Sequence, residues 1–434
     1  MSAANPYDEL PYFSAAIEWS APERLALASW LHGGPRPALD GCRVLELGCG
    51  NGANLLPLAY YRPESRFVGV DGAATAVALA QRRCADLELT NLELIHADFA
   101  DADRALADRE PFEFILAHGV FSWVSDEDRD ALFALCARRL RRGGLLYLNY
   151  NARPGWNVRG IVRDFLLAQT AGAANLASRT ELAREVAARI AAALESPGEH
   201  PYSHLLANEM RFVRDSHPSY IAHEFLAPHN NAYWRWDFLA LAGGYGLEHV
   251  ADADFNYPSG RVPATLSLPS PETPLLARLP EDAVELLSYR QLHSPILTPA
   301  PWTRRTPADD DIASLVVASS LDRLPAAAGE HPTFRHPNGF EVEAKQDRVR
   351  VALERLRPLW PGGLAVAALF PGGDSVLADL RLLHLHGLID LRLPDAPASA
   401  APPERLNERE RVWGGYATTP FHTRESWRTG EETS

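Results

Sequence analysis

Between Arg43 and Asn151 short apolar runs alternate with helical patterns. "RVLEL" (43–47), "RFVGVD" (66–71), "NLELIHAD" (91–98), "FEFILAHG" (112–119) and "GLLYLNYN" (144–151) read as strands. They are rich in Leu and β-branched residues, as strands covered on both faces should be. "ATAVALAQRRCADL" (74–87) and "DEDRDALFALCARRLRR" (126–142) read as helices. The second opens on acids and closes on arginines before Gly143-Gly144, which suits the helix dipole and a glycine stop. Such alternation predicts an α/β, Rossmann-like fold. Its sheet is doubly wound and mostly parallel, with ligands at the carboxyl ends of the strands.

After about Arg153 the pattern turns helical, as in "RTELAREVAARIAAALE" (179–195). "YWRWDFLALAGGYGLEHVADADF" (233–255) then reads as a helix, a glycine stop and a strand, so the sheet resumes. A Pro-rich stretch (256–280) follows, and "TPAPWTRRTPADDD" (298–311) reads as a linker. "DSVLADLRLLHLHGLIDLRLP" is a helix running into a strand, as in winged-helix modules. The expected organisation is an N-terminal lid and helix (1–40), a core (41–152), an inserted helical region (153–232) and a return to the sheet (233–275). A smaller C-terminal α/β accessory domain (276–393) and a flexible tail (394–434) complete it.

Composition narrows the function. No apolar run approaches the roughly 20 residues of a membrane span, and the acidic opening "MSAANPYDELPYF" lacks the regions of a signal peptide. The expectation is a cytoplasmic protein with no membrane partner. Cys42, Cys49, Cys84 and Cys136 are scattered, which fits a reducing compartment and argues against zinc. The histidines His217, His223 and His229 recur every six residues, off any one helical face, so no metal site is expected. Net charge is −14 without a basic cluster, which argues against nucleic acid as a partner. Of 42 basic residues only Lys345 is a lysine.

"GCGNGA" (48–53) satisfies both the dinucleotide fingerprint G-x-G-x-x-G/A and the G-x-G-x-G turn of methyltransferases. The flanking acids decide between them. Glu46 would repel a pyrophosphate but favours the sulfonium and ammonium groups of S-adenosylmethionine. As a bland alternative, Glu46 caps the next helix. Asp71 ends the second strand, where an acid accepts from ribose hydroxyls. Asp98 ends the third strand, suited to an adenine amino group, with Phe99 beside it to cover the ring. An acid ending each of three successive strands is not part of the NAD pattern.

At these residues the chain resembles class I S-adenosylmethionine-dependent methyltransferases. More narrowly, it resembles the bacterial subgroup with a methyltransferase regulatory domain, which includes the protein lysine methyltransferases of rickettsial outer-membrane protein. The resemblance rests on "NPYDELPYFSAAIEWSAPERLA" (5–26), "RVLELGCGNGANLLPLA" (43–59), "FVGVDGAA" (67–74), "LAHGVFSWV" (116–124), "YNARPGW" (150–156) and "YIAHEFLAPHN" (220–230). The chain departs from the family pattern at Ser20–Pro22, at Ala53 and at Gly72-Ala73. The resemblance implies that Tyr7 and Tyr12 fold over the donor as a lid. Candidate donor-site residues are Glu46, Gly48, Gly50, Gly52, Asn54, Asp71, Asp98, Phe99, His118 and Tyr12.

The acceptor face is expected at the ends of strands four and five. His118 can orient the acceptor or take its proton there, or it merely bonds the loop. Tyr150 and Asn151 can hold an incoming amine, and Trp123 and Trp156 either wall the pocket or belong to the core. The leading expectation is methylation of a protein or peptide side chain, lysine favoured. O-methylation of a carboxylate, hydroxyl or small metabolite is the second reading, and a non-catalytic S-adenosylmethionine-binding interaction protein is the third.

Overall fold

The computed structural model describes residues 6–12, 16–196, 198, 200–253, 286–287, 289–305, 308–325, 331–335, 341–344, 346–360, 362–370 and 389–394. The expected winged-helix segment lies largely outside the described residues, as do the Pro-rich stretch, Lys345 and the tail.

The core strands are β1 (Arg43–Leu47), β2 (Arg66–Asp71), β3 (Leu92–His96), β4 (Phe112–Ala117) and β5 (Leu140–Leu148). They pair in parallel in the order β3-β2-β1-β4-β5. Chain order reverses between β1 and β4, which opens a crevice at their carboxyl ends. Three short strands follow: β6 (Tyr150–Ala152), β7 (Ala232–Tyr233) and β9 (Leu292–His293), which form a separate small sheet. The main sheet is completed by β8 (Leu247–Asp252), as expected, and by β10 (Pro295–Pro299), which lies antiparallel between β5 and β8.

Strand β10 corrects two expectations. The stretch read as a linker begins inside the main sheet, and the accessory domain cannot start at residue 276. Proline at both ends of β10 hid it. Proline cannot donate to a ladder and usually argues against a central strand. A second correction concerns Gly143-Gly144. The helix ends at Arg139, Leu140 is already extended, and both glycines lie inside β5 beside a register shift against β4. Gly143 has φ +76°, so the glycines serve a bulge rather than a helix stop.

The described helices as far as Gly244 are α1 (Pro6–Glu9), α2 (Pro22–Leu31), α3 (Leu55–Tyr61), α4 (Ala74–Asp86), α5 (Phe99–Ala105), α6 (Asp126–Arg139), α7 (Gly155–Thr170), α8 (Leu176–Ala193), α9 (Pro201–Asp215), α10 (Pro218–Tyr220) and α11 (Arg235–Gly244). A π-helical turn, Ile221–Phe225, continues from α10. α7 to α10 and this turn share a hydrophobic cluster that includes Val162, Leu166, Met210 and Phe225. Among the described residues no helix is long and apolar enough to cross a membrane.

Helix α2 is buried nearly all round, as a helix enclosed between layers must be. It touches β5 and β8 of the main sheet. It also meets the C-terminal region, where β11 (Val316–Ala318) lies between β15 (Leu364–Ala365) and β16 (Asp390–Arg392). Ile312, Leu315 and Val317 belong to the same hydrophobic cluster as Leu25 and Leu27. Arg24 of α2 pairs with the fully buried Asp390 at 2.6 Å. The small C-terminal unit is therefore welded to the core through α2, a closer association than a Pro-rich linker suggests. A ribbon of β12 (Asp322–Arg323), β13 (Thr333–Arg335) and β14 (Glu341–Glu343) completes the described strands.

Candidate active site

The glycine turn leaves the end of β1 at the point where chain order reverses. Gly48, Gly50 and Gly52 all have positive φ, a conformation that side chains resist. Gly48 has a steric reason as well: a Cβ there would lie 2.3 Å from Val120 Cγ2. The turn is pinned to β2 by hydrogen bonds from Gly48 N and Cys49 N to Val70 O, at 2.8 and 3.1 Å.

Asp71 at the end of β2 accepts from Gly50 N at 2.8 Å and from Ala73 N at 2.7 Å, one bond to each carboxylate oxygen. A carboxylate has about four acceptor positions, so two remain for ligand hydroxyls. Burial raises its pKa, and the two backbone N–H groups work against that. Asp98 is the exposed N-cap of α5 and accepts from Asp101 N at 2.7 Å. Phe99 follows it, half-buried against the core.

Glu46 is 4% exposed. Asn54 Nδ2 donates to its Oε1 at 2.9 Å, while Oε2 is buried with no protein partner among the described residues. Burial pushes the Glu46 carboxyl up to about 7, against the pull of the Asn54 hydrogen bond. A helix cap would bond a backbone N–H, so the bland reading of Glu46 does not describe it. An orphaned buried carboxylate oxygen beside a glycine turn fits a cationic ligand group, and hence the ammonium-bearing S-adenosylmethionine. Asn54 takes a different part from the one expected. Its Oδ1 accepts from Ile17 N at 2.8 Å and its Nδ2 donates to Ser20 Oγ at 3.0 Å. Its amide is committed to holding the N-terminal segment and orienting Glu46.

His118 follows β4 and sits in a network that the sequence did not reveal. Its Nδ1 lies 2.6 Å from Tyr147 Oη, which accepts from Trp19 Nε1 at 2.7 Å. Asn149 Oδ1 accepts from Gly119 N at 2.6 Å, which fixes the amide and turns its NH2 toward the His118 ring. Burial lowers the His118 pKa to about 4, so the ring is neutral. The Tyr147 hydroxyl, which already accepts from Trp19, has its proton free for Nδ1, and the Asn149 amide lies nearer Nδ1 (3.2 Å) than Nε2 (3.4 Å), so the network favours the ring proton on Nε2. A neutral ring of that tautomer can orient a group by donating; it has no free acceptor on Nδ1.

Tyr150 does not join this face. It is 2% exposed and stacks on Phe238 at 4.0 Å and His293 at 5.1 Å, within a cluster containing Phe121 and Tyr233. It is a core residue, and the expectation of an acceptor contact is corrected. Asn151 is also buried. Its N–H donates to Ser122 Oγ at 2.8 Å and its Nδ2 to Asn230 Oδ1 at 3.0 Å, so its bonds go to neighbouring loops. Trp123 and Trp156 meet edge to face at 5.8 Å.

The N-terminal segment folds against both the core and the helical region. Asp8 accepts from Thr75 N and Oγ1 at the start of α4, and Glu9 accepts from Leu176 N at 2.8 Å. Tyr7 stacks flat on His223 at 4.3 Å, and His223 Nε2 lies 2.6 Å from Leu10 O. Tyr12 Oη donates to Glu224 Oε1 at 3.3 Å. The Tyr7 phenol is pushed well up by burial and by the Glu224 and Asp71 carboxylates. Tyr7 thus lies between Asp71 and the helical region, the position of a strap over the crevice. His223, set aside as a metal ligand, anchors this strap.

Comparison with known proteins gives the frame for this geometry. The family model described as "Methyltransferase domain" matches residues 44–144. An uncharacterized protein of Rickettsia prowazekii, RP789, is 32% identical over 252 residues, covering 58% of this chain and 45% of its own length. A second, RP028, is 28% identical over 236 residues, covering 54% of this chain and 93% of its own length. This chain therefore spans less than half of the first relative. In fold it is similar to PKMT2 from Rickettsia typhi, solved in complex with AdoHcy, with a TM-score of 0.73 at 22% identity, covering 91% of this chain and 79% of that one.

Proposed function

Because residues 44–144 are a methyltransferase domain of the S-adenosylmethionine-dependent kind, we propose that the whole chain transfers a methyl group to a side chain of a protein or peptide, a lysine amine in first place. The observation that carries the donor half is the buried, unpartnered Oε2 of Glu46 beside the glycine turn. The fold likeness to PKMT2 supports the acceptor half.

Bound S-adenosylmethionine supplies an electrophilic methyl on a sulfonium, and no metal is required for its displacement. Glu46 holds the cationic end, Asp71 the ribose hydroxyls, and Asp98 with Phe99 the adenine. The Tyr7–Tyr12 strap excludes water, and His118 orients the incoming group through Nε2–H. Alignment of this kind is worth roughly 7–11 kcal/mol of barrier. An amine nucleophile must first lose a proton, since its ordinary pKa is about 10.4.

The test is mass spectrometry of a host lysate incubated with the protein and isotopically labelled donor. The expected result is a label on lysine of a partner protein that survives mild base. A label removed by mild base would mean a methyl ester and overturn the lysine reading. Absence of turnover to S-adenosylhomocysteine with any acceptor would leave a binding protein instead of an enzyme.

A further inference from the structure

With His118 a neutral donor, the acceptor's proton must go to another group. One carboxylate on the helical side meets that need. Glu224 lies in the π-helical turn Ile221–Phe225, where Ile221, Ala222, His223 and Phe225 are all buried and Glu224 alone keeps solvent access. Insertions of this type in helices are frequent at functional sites.

Aromatic and charged groups surround it. From the N-terminal strap come Tyr12, which bonds Oε1 at 3.3 Å, and Tyr7, which stacks on the adjacent His223. From α10 comes Tyr220, whose hydroxyl accepts from Arg159 Nη1 at 3.3 Å. From α7 comes the Arg159 guanidinium, already paired with Glu209 of α9 at 3.2 Å. The nearest positive charge is thus largely neutralised by another acid. A carboxylate ringed by tyrosines is the chemistry that receives an ammonium group: rings for the cation, a carboxylate for its charge.

We propose that Glu224 is the carboxylate that receives the acceptor's cationic amine beneath the N-terminal strap and removes its proton before methyl transfer. The inference rests on the lysine reading above. The ammonium proton passes to Glu224, and the freed lone pair forms the new N–C bond. The S–C bond breaks with its electrons left on sulfur as a thioether. Glu224 then returns its proton to solvent.

Burial pushes the Glu224 carboxyl up to about 8, with Arg159 and the Tyr12 hydrogen bond working against it. Burial lowers the His223 pKa and raises those of Tyr7, Tyr12 and Tyr220, so these neighbours stay neutral at pH 8. Productive encounter therefore needs ionised Glu224 and a protonated amine. kcat/KM on the acceptor should rise with unit slope up to about pH 8, stay level, and fall above about 10.4 as the lysine loses its charge.

The experiment compares wild type, Glu224→Gln and Tyr12→Phe in the full chain, with labelled donor and the lysate acceptor. Affinity for S-adenosylhomocysteine is measured in parallel as the folding control. Glu224→Gln should lower incorporation into lysine roughly thirtyfold or more, the loss expected on removing one partner of a buried charge pair. Donor affinity should stay within about twofold and the break near pH 8 should vanish. Tyr12→Phe should keep the break and shift it upward, because it keeps the acid and removes a hydrogen bond that favours the ionised carboxylate. If Glu224→Gln loses donor affinity through misfolding, the shifted break in Tyr12→Phe decides: an unmoved break overturns the proposal. Lysine labelling by Glu224→Gln at the wild-type rate overturns the proposal and leaves the lysine reading standing. A label on any atom other than an amine nitrogen brings down both.

Discussion

Asn54 donates to Glu46 at 2.9 Å while its carbonyl oxygen holds Ile17 N at 2.8 Å, so one amide ties the buried acid beside the glycine turn to the N-terminal segment. Burial pushes the Glu46 carboxyl up to about 7 in spite of that bond. An acid raised in this way costs the fold stability. Its penalty is absent below the unfolded value of about 4.3, grows as pH rises toward about 7, and is constant above. A bound ammonium removes the penalty. Affinity for S-adenosylhomocysteine should therefore rise from pH 5 to about 7 and then level. Glu46→Gln, which keeps the Asn54 bond, should unfold at the same or higher temperature at pH 8 and bind the ligand more weakly by about 1.5–3 kcal/mol. Calorimetry across this range checks both. A flat affinity profile in the wild type would remove Glu46 from the site.

The turn makes a second prediction. Gly48 has φ +77° and faces Val120 Cγ2, where an added Cβ would sit at 2.3 Å. Gly48→Ala should lower thermal stability and weaken ligand binding together. Adding Val120→Ala relieves only the clash, so a residual cost of about 1–2 kcal/mol from the left-handed backbone should persist. Full recovery in the double variant would show that the φ angle is not what requires glycine.

How much of this was legible beforehand follows from single residues. The placement of Glu46, Asp71 and Asp98 toward the carboxyl ends of β1, β2 and β3 was legible because each closes a short apolar run, and strand ends in a parallel sheet converge on one crevice. At the end of β5 the side chain that reaches His118 lies one residue earlier than expected. Leu145 and Tyr147 face one hydrophobic cluster, while Leu146, Leu148 and Tyr150 face the other. Asn149 continues the Tyr147 face and reaches His118, whereas Tyr150 points into the core; a slip of one residue exchanges the faces of a strand. The partners of Tyr12 and His223 were beyond reach because the two stretches are more than 200 residues apart, and nothing local to either specifies their meeting. Glu224 did lie within a quoted motif, "YIAHEFLAPHN", but its use depends on that distant contact.

The junction with the C-terminal region gives a third prediction. Arg24 pairs with Asp390 at 2.6 Å, both are buried, and Asp390 also receives Arg392 Nε at 2.5 Å. Breaking a buried pair from one side typically costs about 3–5 kcal/mol, because a buried charge is left uncompensated. Asp390→Ala should lower the unfolding free energy obtained from a urea titration by that amount. It should also weaken donor binding, since α2 begins at Pro22, two residues beyond the Ser20 that Asn54 holds. A chain ending at residue 300 would expose the faces of Leu25 and Leu27 that pack with Ile312 and Val317. It should therefore unfold more easily than the full chain and lose donor affinity. Equal stability with unchanged donor affinity would mean that the C-terminal unit only rests on α2.

The fourth prediction separates orientation at His118 from donor binding. Tyr147 links Trp19 to His118, with 2.7 and 2.6 Å contacts on its one oxygen. Tyr147→Phe removes that oxygen and leaves the ring in place. The Trp19 N–H then loses its partner, a cost of about 1–3 kcal/mol in stability. His118 loses the donor that fixed Nδ1 as an acceptor, so its proton is no longer confined to Nε2 and the orienting N–H is only partly present. Turnover should fall by roughly tenfold, about 1.4 kcal/mol in the barrier, with little change in affinity for S-adenosylhomocysteine. Because His118 is neutral down to about pH 4, the loss should be the same at every pH between 6 and 9. A loss confined to low pH would mean that the ring charges during the reaction, and the tautomer assignment that makes His118 a donor would be wrong.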